Sequence, residues 1–159
     1  MQPTRKLWYC LGAVFIASFA VLGWLGREIY LAAPPIPTAV VDTNGKTLYT
    51  GDQIQHGQRV WLAAGGQQLG TVWGHGSYVA PDWSADWLHR EATALADVYT
   101  HADYATEYGK LAPAGRAAVD AKVRDELRHN TYDKASGRVT VSPQRAEAMA
   151  MVAAHYTGL

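Results

Sequence analysis

The chain has 159 residues, with 14 basic and 14 acidic side chains that cancel to a formal net charge of zero. That length suits one modest domain, and the balance gives no field that would gather nucleic acid or an acidic partner. The single cysteine, Cys10, excludes an intramolecular disulfide, a cysteine-pair metal site and the Cys-x-x-Cys-His attachment of a covalent haem.

The first predicted element is a membrane anchor. Leu7 to Gly26 reads LWYCLGAVFIASFAVLGWLG, 20 residues without a charge. About 20 helical residues, rising 1.5 Å each, cross a hydrocarbon core. Trp8, Tyr9 and Trp24 stand near the ends, where amphipathic rings favour the interface. Arg5 and Lys6 predict that residues 1–6 stay in the cytoplasm and that the bulk of the chain is exported. The run is long for a signal-peptide core, and Gly26-Arg27-Glu28 is a poor cleavage site, so a retained single-pass helix over 7–26 is expected. Residues 27–37 hold Pro34, Pro35 and Pro37, a stiff extended exit segment, and 38–159 form the domain.

That domain reads as mainly helical with short β-hairpins. Two β-prone runs flank Asn44-Gly45, a strong hairpin signal. A short helix follows, with Asp52 as the expected N-cap, Gly57 weakening it and Gly65-Gly66 ending it. A longer helix spans roughly Ser84 to Thr100, with Leu88, Ala92, Leu95 and Tyr99 as its inner stripe and Asp86 and Glu91 in its early turns. Another begins at Pro113 and aligns Val119, Val123 and Leu127. NTYDKASGRVTVS predicts a hairpin turning at Ser136-Gly137. Ser142 as N-cap and Pro143 at the first helical position open a last helix carrying Ala146, Met149, Ala153 and Tyr156 on one stripe.

Chemistry is harder to find. His56, His75, His89, His101, His129 and His155 are scattered, and no pair sits at a spacing that puts two ligands on one helical face. Ser77 and Ser84 lack the Gly-x-Ser-x-Gly elbow, and GGQQLG lacks the Gly-Lys-Ser/Thr of a phosphate loop. Asp82 and Asp86 are explained by helix capping, and Met149 and Met151 by packing at helical spacing. Trp61, Trp73, Trp83 and Trp87 are expected to organise the core, each burying about 200 Å².

GGQQLGTVWGHGSYVAPDWSADWLHREA, Gly65 to Ala92, resembles the N-terminal region of quinol-dependent nitric oxide reductases, single-chain relatives of the haem-copper oxidases. APPIP, GQRVW and NTYD…SGRVTVS…RAEA…HY extend that resemblance over essentially the whole chain. It implies a membrane-anchored, cytochrome-c-like domain that has lost its haem, with AAGGQQLG where a haem-attachment motif would follow the GQRVW helix. The aromatic cluster is expected to fill the vacated volume, because an empty void of haem size is strongly destabilising.

The resemblance further implies that the chain is a fragment of an enzyme of denitrification in the bacterial inner (cytoplasmic) membrane. That enzyme reduces two NO molecules to N2O with electrons from membrane quinol. Its haem b, haem b3 and non-haem iron are held by a downstream catalytic helix bundle, so no catalytic, cofactor or metal residue carries over to this chain. The expected partners are membrane lipid, that bundle and, in the full-length enzyme, quinol. Trp73, His75, Tyr78, Asp82, Trp83, His89 and Arg90 are the candidate contacts with the bundle, in a capping role. The alternative is an autonomous membrane-anchored binding or assembly module without catalysis.

Overall fold

The computed structural model describes residues 3–72, 74–76 and 81–158, with the backbone alone at Pro3, His75 and Gly76. The chain divides into two compact units, residues 1–35 and 36–159.

The first unit is one helix, α1, Pro3–Ala32. Its 30 residues extend beyond both ends of the apolar run. Arg27 and Glu28, 2.9 Å apart, interrupt the apolar surface without breaking the helix, because neither is a poor helix former. Pro34 and Pro35 end it shortly after, since a residue before proline disfavours helical geometry. Large apolar side chains stand exposed on every side of α1, Trp8, Phe15, Phe19 and Ile29 among them. A helix apolar all round is suited to lipid. Among the described residues it is the one helix long and apolar enough to cross a membrane.

The second unit is mainly helical. β1 (Ala39–Asp42) and β2 (Thr47–Thr50) form the predicted hairpin over Asn44-Gly45. The Asp42 carboxylate accepts the backbone N–H of Asn44 and Lys46, which fixes the turn. α2 (Gly51–Ala63) follows directly. Its N-cap is Thr50 rather than Asp52. Thr50 accepts from Gln53 N–H while the Gln53 side chain accepts from Thr50 N–H, a reciprocal capping box. Gly57 does not interrupt α2. A one-turn helix, α3 (Gly66–Leu69), and a small hairpin, β3 (Thr71–Val72) with β4 (His75–Gly76), lead to α4 (Trp83–Tyr104).

α4 is capped by Asp82 and runs a turn beyond its expected end, to Ala105 in left-handed geometry. After a short 3₁₀ turn at Tyr108–Lys110 come α5 (Pro113–Arg128), the hairpin of β5 (Tyr132–Asp133) and β6 (Arg138–Val141), and α6 (Pro143–Thr157). Ser142 caps α6 as expected, accepting from Arg145 N–H.

The two hairpins join into one sheet of order β2-β1-β6-β5, in which β1 and β6 run parallel. Leu95, Leu111, Val119, Ala148 and Val152 from the helical layer and Val40 and Val141 from the sheet make the buried core. The stripe of α5 is as expected, with Val119 buried and Val123 and Leu127 half-buried. α4 is rotated relative to expectation: Leu88 is 41% exposed, and Glu91 takes the inner position one turn before Leu95. On α6 the buried residues are Ala148 and Val152, and Ala146, Met149, Ala153 and Tyr156 flank them half-buried.

Candidate functional site

An apolar hollow of about 990 Å³ opens on the second unit. Trp61 and Leu62 of α2, Leu69 of α3, Val72 of β3, Trp83 and Trp87 of α4 and Tyr156 of α6 line it. The three tryptophans are half-buried, so they wall the hollow rather than fill the core as expected. Each is held by a specific contact. The Trp61 indole lies over Gly66, where a Cβ would come within 2.3 Å of the ring. Trp83 Nε1 lies over Gly70, where a Cβ would come within 1.9 Å. Only a residue without Cβ permits such approach. Trp83 meets Tyr156 edge-on at 6.4 Å, and Trp87 stacks parallel to Tyr156 at 5.8 Å.

A polar network backs these rings. Tyr156 O–H and Arg90 Nε–H both donate to Asp86 Oδ2, the latter at 2.8 Å. The Arg90 hydrogen bond and then the Tyr156 hydroxyl hold the Asp86 carboxyl below its ordinary value. Burial, followed by the Asp86 hydrogen bond, pushes the Tyr156 phenol up. Trp87 Nε1–H donates to Glu91 Oε2 at 2.9 Å, and Arg145 Nε–H donates to Glu91 Oε1 at 2.7 Å. Glu91 is nearly inaccessible, its side chain 3% exposed against 20% for Arg145. Glu126 continues the chain of contacts, accepting from Tyr99 O–H and Ser142 N–H, while Arg145 donates to its carbonyl.

Asp82 sits at the joint between hollow and helix. Its Oδ1 accepts Ser84 N–H and Ala85 N–H, capping α4, and its Oδ2 accepts Gly74 N–H at 2.7 Å. The Ala85 hydrogen bond leads the effects that hold its carboxyl below the ordinary range. The capping expected of Asp82 is therefore observed. Asp86 does something else: it joins α4 to α6.

Of the candidate contact residues, Asp82, Trp83 and Arg90 are brought to one side of the unit, Trp83 and Arg90 through Tyr156 and Asp86. His89 is exposed and lines a separate cleft of about 280 Å³ with Arg90, Met151 and His155. Trp73 and Tyr78 lie outside the described residues, as does the His75 side chain, whose backbone pairs with Val72 in the β3–β4 hairpin. Sequence reasoning missed Glu91 and Arg145. The signal was there: an acid one turn before Leu95 on the inner face of a helix demands a buried partner.

The hollow does not suit a covalently held haem. Its described lining offers no thiol, imidazole or thioether to bind a porphyrin or its iron, and the one cysteine is on α1. Among the described residues no group of three or more metal-ligating side chains converges.

The family described as the NorB cytochrome c-like domain of nitric oxide reductase matches residues 37–159, more than three-quarters of the chain. No curated protein matches the chain. With a mainly helical unit, a small sheet of short strands and an apolar N-terminal helix long enough to span a membrane, the chain belongs to the family of NorB cytochrome c-like domains of nitric oxide reductases.

Proposed function

We propose that this chain is the N-terminal anchor and haem-free cytochrome-c-like domain of a quinol-dependent nitric oxide reductase. In that reading α1 is retained in the bacterial inner membrane with its N-terminus cytoplasmic and residues 36–159 in the periplasm. A downstream helix bundle, with haem b, haem b3 and non-haem iron, converts two NO to N2O and water using two electrons and two protons. The domain has a structural role: it caps the exported face of that bundle. Trp83 and Arg90, joined through Tyr156 and Asp86, Asp82 at the cap of α4 and the exposed His89 are its contact residues among those described, and Trp73, His75 and Tyr78 complete the set.

The observation that carries this reading is the donor set of the hollow. A domain of cytochrome-c-like kinship whose described lining residues supply no haem anchor is poorly equipped to relay electrons from a soluble cytochrome. Quinol delivered within the membrane needs no such relay.

The test is NO consumption by the full-length reductase in membranes. A reduced quinol should sustain turnover, reduced cytochrome c should not, and the polypeptide should carry no covalent haem. Turnover with cytochrome c, or a covalent haem stain, overturns the quinol assignment. Arg90→Ala in the same enzyme should lower turnover or thermal stability, and wild-type values for both would remove the capping role.

A further inference from the structure

Among the described residues, α2 leaves most of its apolar side uncovered, with Trp61 resting on Gly66 of α3. Ile54, Trp61 and Leu62 recur at helical spacing, yet none of its 13 residues is buried. A helix this short is marginal in water without a packed face. Leu62 and Leu69, which line the hollow, are each more than half exposed, as is neighbouring Val60 on α2. Such a cluster marks an interaction surface.

Three features identify what covers it. The first is the tether. Residues 33–35 alone separate the last residue of α1 from Ile36, and an extended chain over those four steps reaches about 15 Å at most. With α1 in a bilayer, Ile36 itself stays within that distance of the end of the helix. The second is charge. Gly51 to Gly70 carry two charged side chains, Asp52 and Arg59, while Gln55, Gln58, Gln67 and Gln68 supply uncharged polar groups. The third is ring chemistry. Indole and phenol rings with an apolar body and one polar atom favour the membrane–water interface.

We propose that the α2–α3 side of the hollow is a lipid-binding surface, which takes acyl chains of the adjoining leaflet against Trp61, Leu62 and Leu69. The proposal rests on the reading of α1 as a membrane anchor. It adds that α2 and α3 lie in the interface as an amphipathic pair, their apolar side sunk to acyl-chain depth.

The test is tryptophan quenching in the full chain, reconstituted in phosphatidylcholine bilayers with or without brominated acyl chains. One variant, Trp8→Phe/Trp24→Phe/Trp73→Phe, keeps Trp61, Trp83 and Trp87. A second, Trp61→Phe/Trp73→Phe/Trp83→Phe/Trp87→Phe, keeps Trp8 and Trp24 to report on α1 alone. In the first variant brominated lipid should lower emission about twofold, aqueous acrylamide should quench weakly, and the added exposed change Leu69→Glu should reverse both. Quenching of Trp8 and Trp24 by brominated lipid, with the other three rings open to acrylamide, overturns the lipid surface and leaves the anchor standing. Protection of the three rings from both quenchers overturns it too, and assigns the hollow to a protein partner or a second copy. Absence of lipid quenching in both variants removes the anchor itself.

Discussion

Glu91 is the residue whose loss should be felt most. Its carboxylate is enclosed, and both oxygens are engaged by Arg145 and Trp87. Glu91→Ala leaves the guanidinium with one weak carbonyl contact, and breaking a buried pair on one side costs about 3 kcal/mol. The double change Glu91→Leu/Arg145→Met should recover most of that, because two apolar groups need no mutual geometry. Chemical denaturation of the single and double variants checks this. Asp86 gives a pH signature. Its carboxyl is held below the ordinary 3.8, so its contribution is complete above that value and is lost as pH falls through the lower, folded one. Wild type should therefore lose thermal stability on acidification below about pH 4 more steeply than Asp86→Asn. Equal slopes in melts across that range would remove the Asp86–Arg90–Tyr156 network from the balance. Neither network was legible from spacing alone. Arg145 is 54 residues from Glu91 and Tyr156 is 70 from Asp86, and helical periodicity says which face a residue occupies, not which distant side chain meets it.

At the scale of elements, punctuation was legible wherever one residue suffices to give it. Ser142-Pro143 marked the start of α6, Pro113 that of α5 and Asn44-Gly45 the first turn. The cap of α2 was misread because Asp52 is the stronger single residue, while Thr50 wins through its pairing with Gln53. The double-glycine segment could not be read as stopping one helix and starting another, since Gly66 and Gly70 are set by ring contacts from Trp61 and Trp83 rather than by local preference. Gly70→Ala should accordingly displace the Trp83 indole and cost about 2 kcal/mol by overpacking. Thermal denaturation followed by near-ultraviolet dichroism reads both effects. α2 carries a further expectation. With no buried residue of its own, its amide hydrogens should exchange well before those of α4 when the protein is held in detergent that leaves the hollow bare.

For the whole molecule, the fold class was legible because helix content and the length of an apolar run are local properties, and the sheet was not because its middle pairing is not local. β1 meets β6 across nearly 100 residues, and no turn signal announces a parallel neighbour. Among the described residues the aromatic rings wall an open hollow, so residues 36–159 released in water should self-associate through it. Sedimentation of that piece should show concentration-dependent oligomers, and Leu62→Gln/Leu69→Gln should shift it toward monomer. Unchanged oligomers would mean that another surface holds the copies together.

The β1–β6 pairing also has a mechanical consequence. β1 is the first strand after the tether, and β6 is the strand from which α6 departs at Ser142. Thr38 N–H reaches the Gly137 carbonyl at 2.7 Å and Thr43 N–H reaches Val141 at 3.1 Å, so the two strands are fastened at both ends. Tension entering the chain at Ile36 is thus handed sideways, strand to strand, into the launch point of α6. Residues 43–137 between them form a closed loop that bears none of the load until that seam tears.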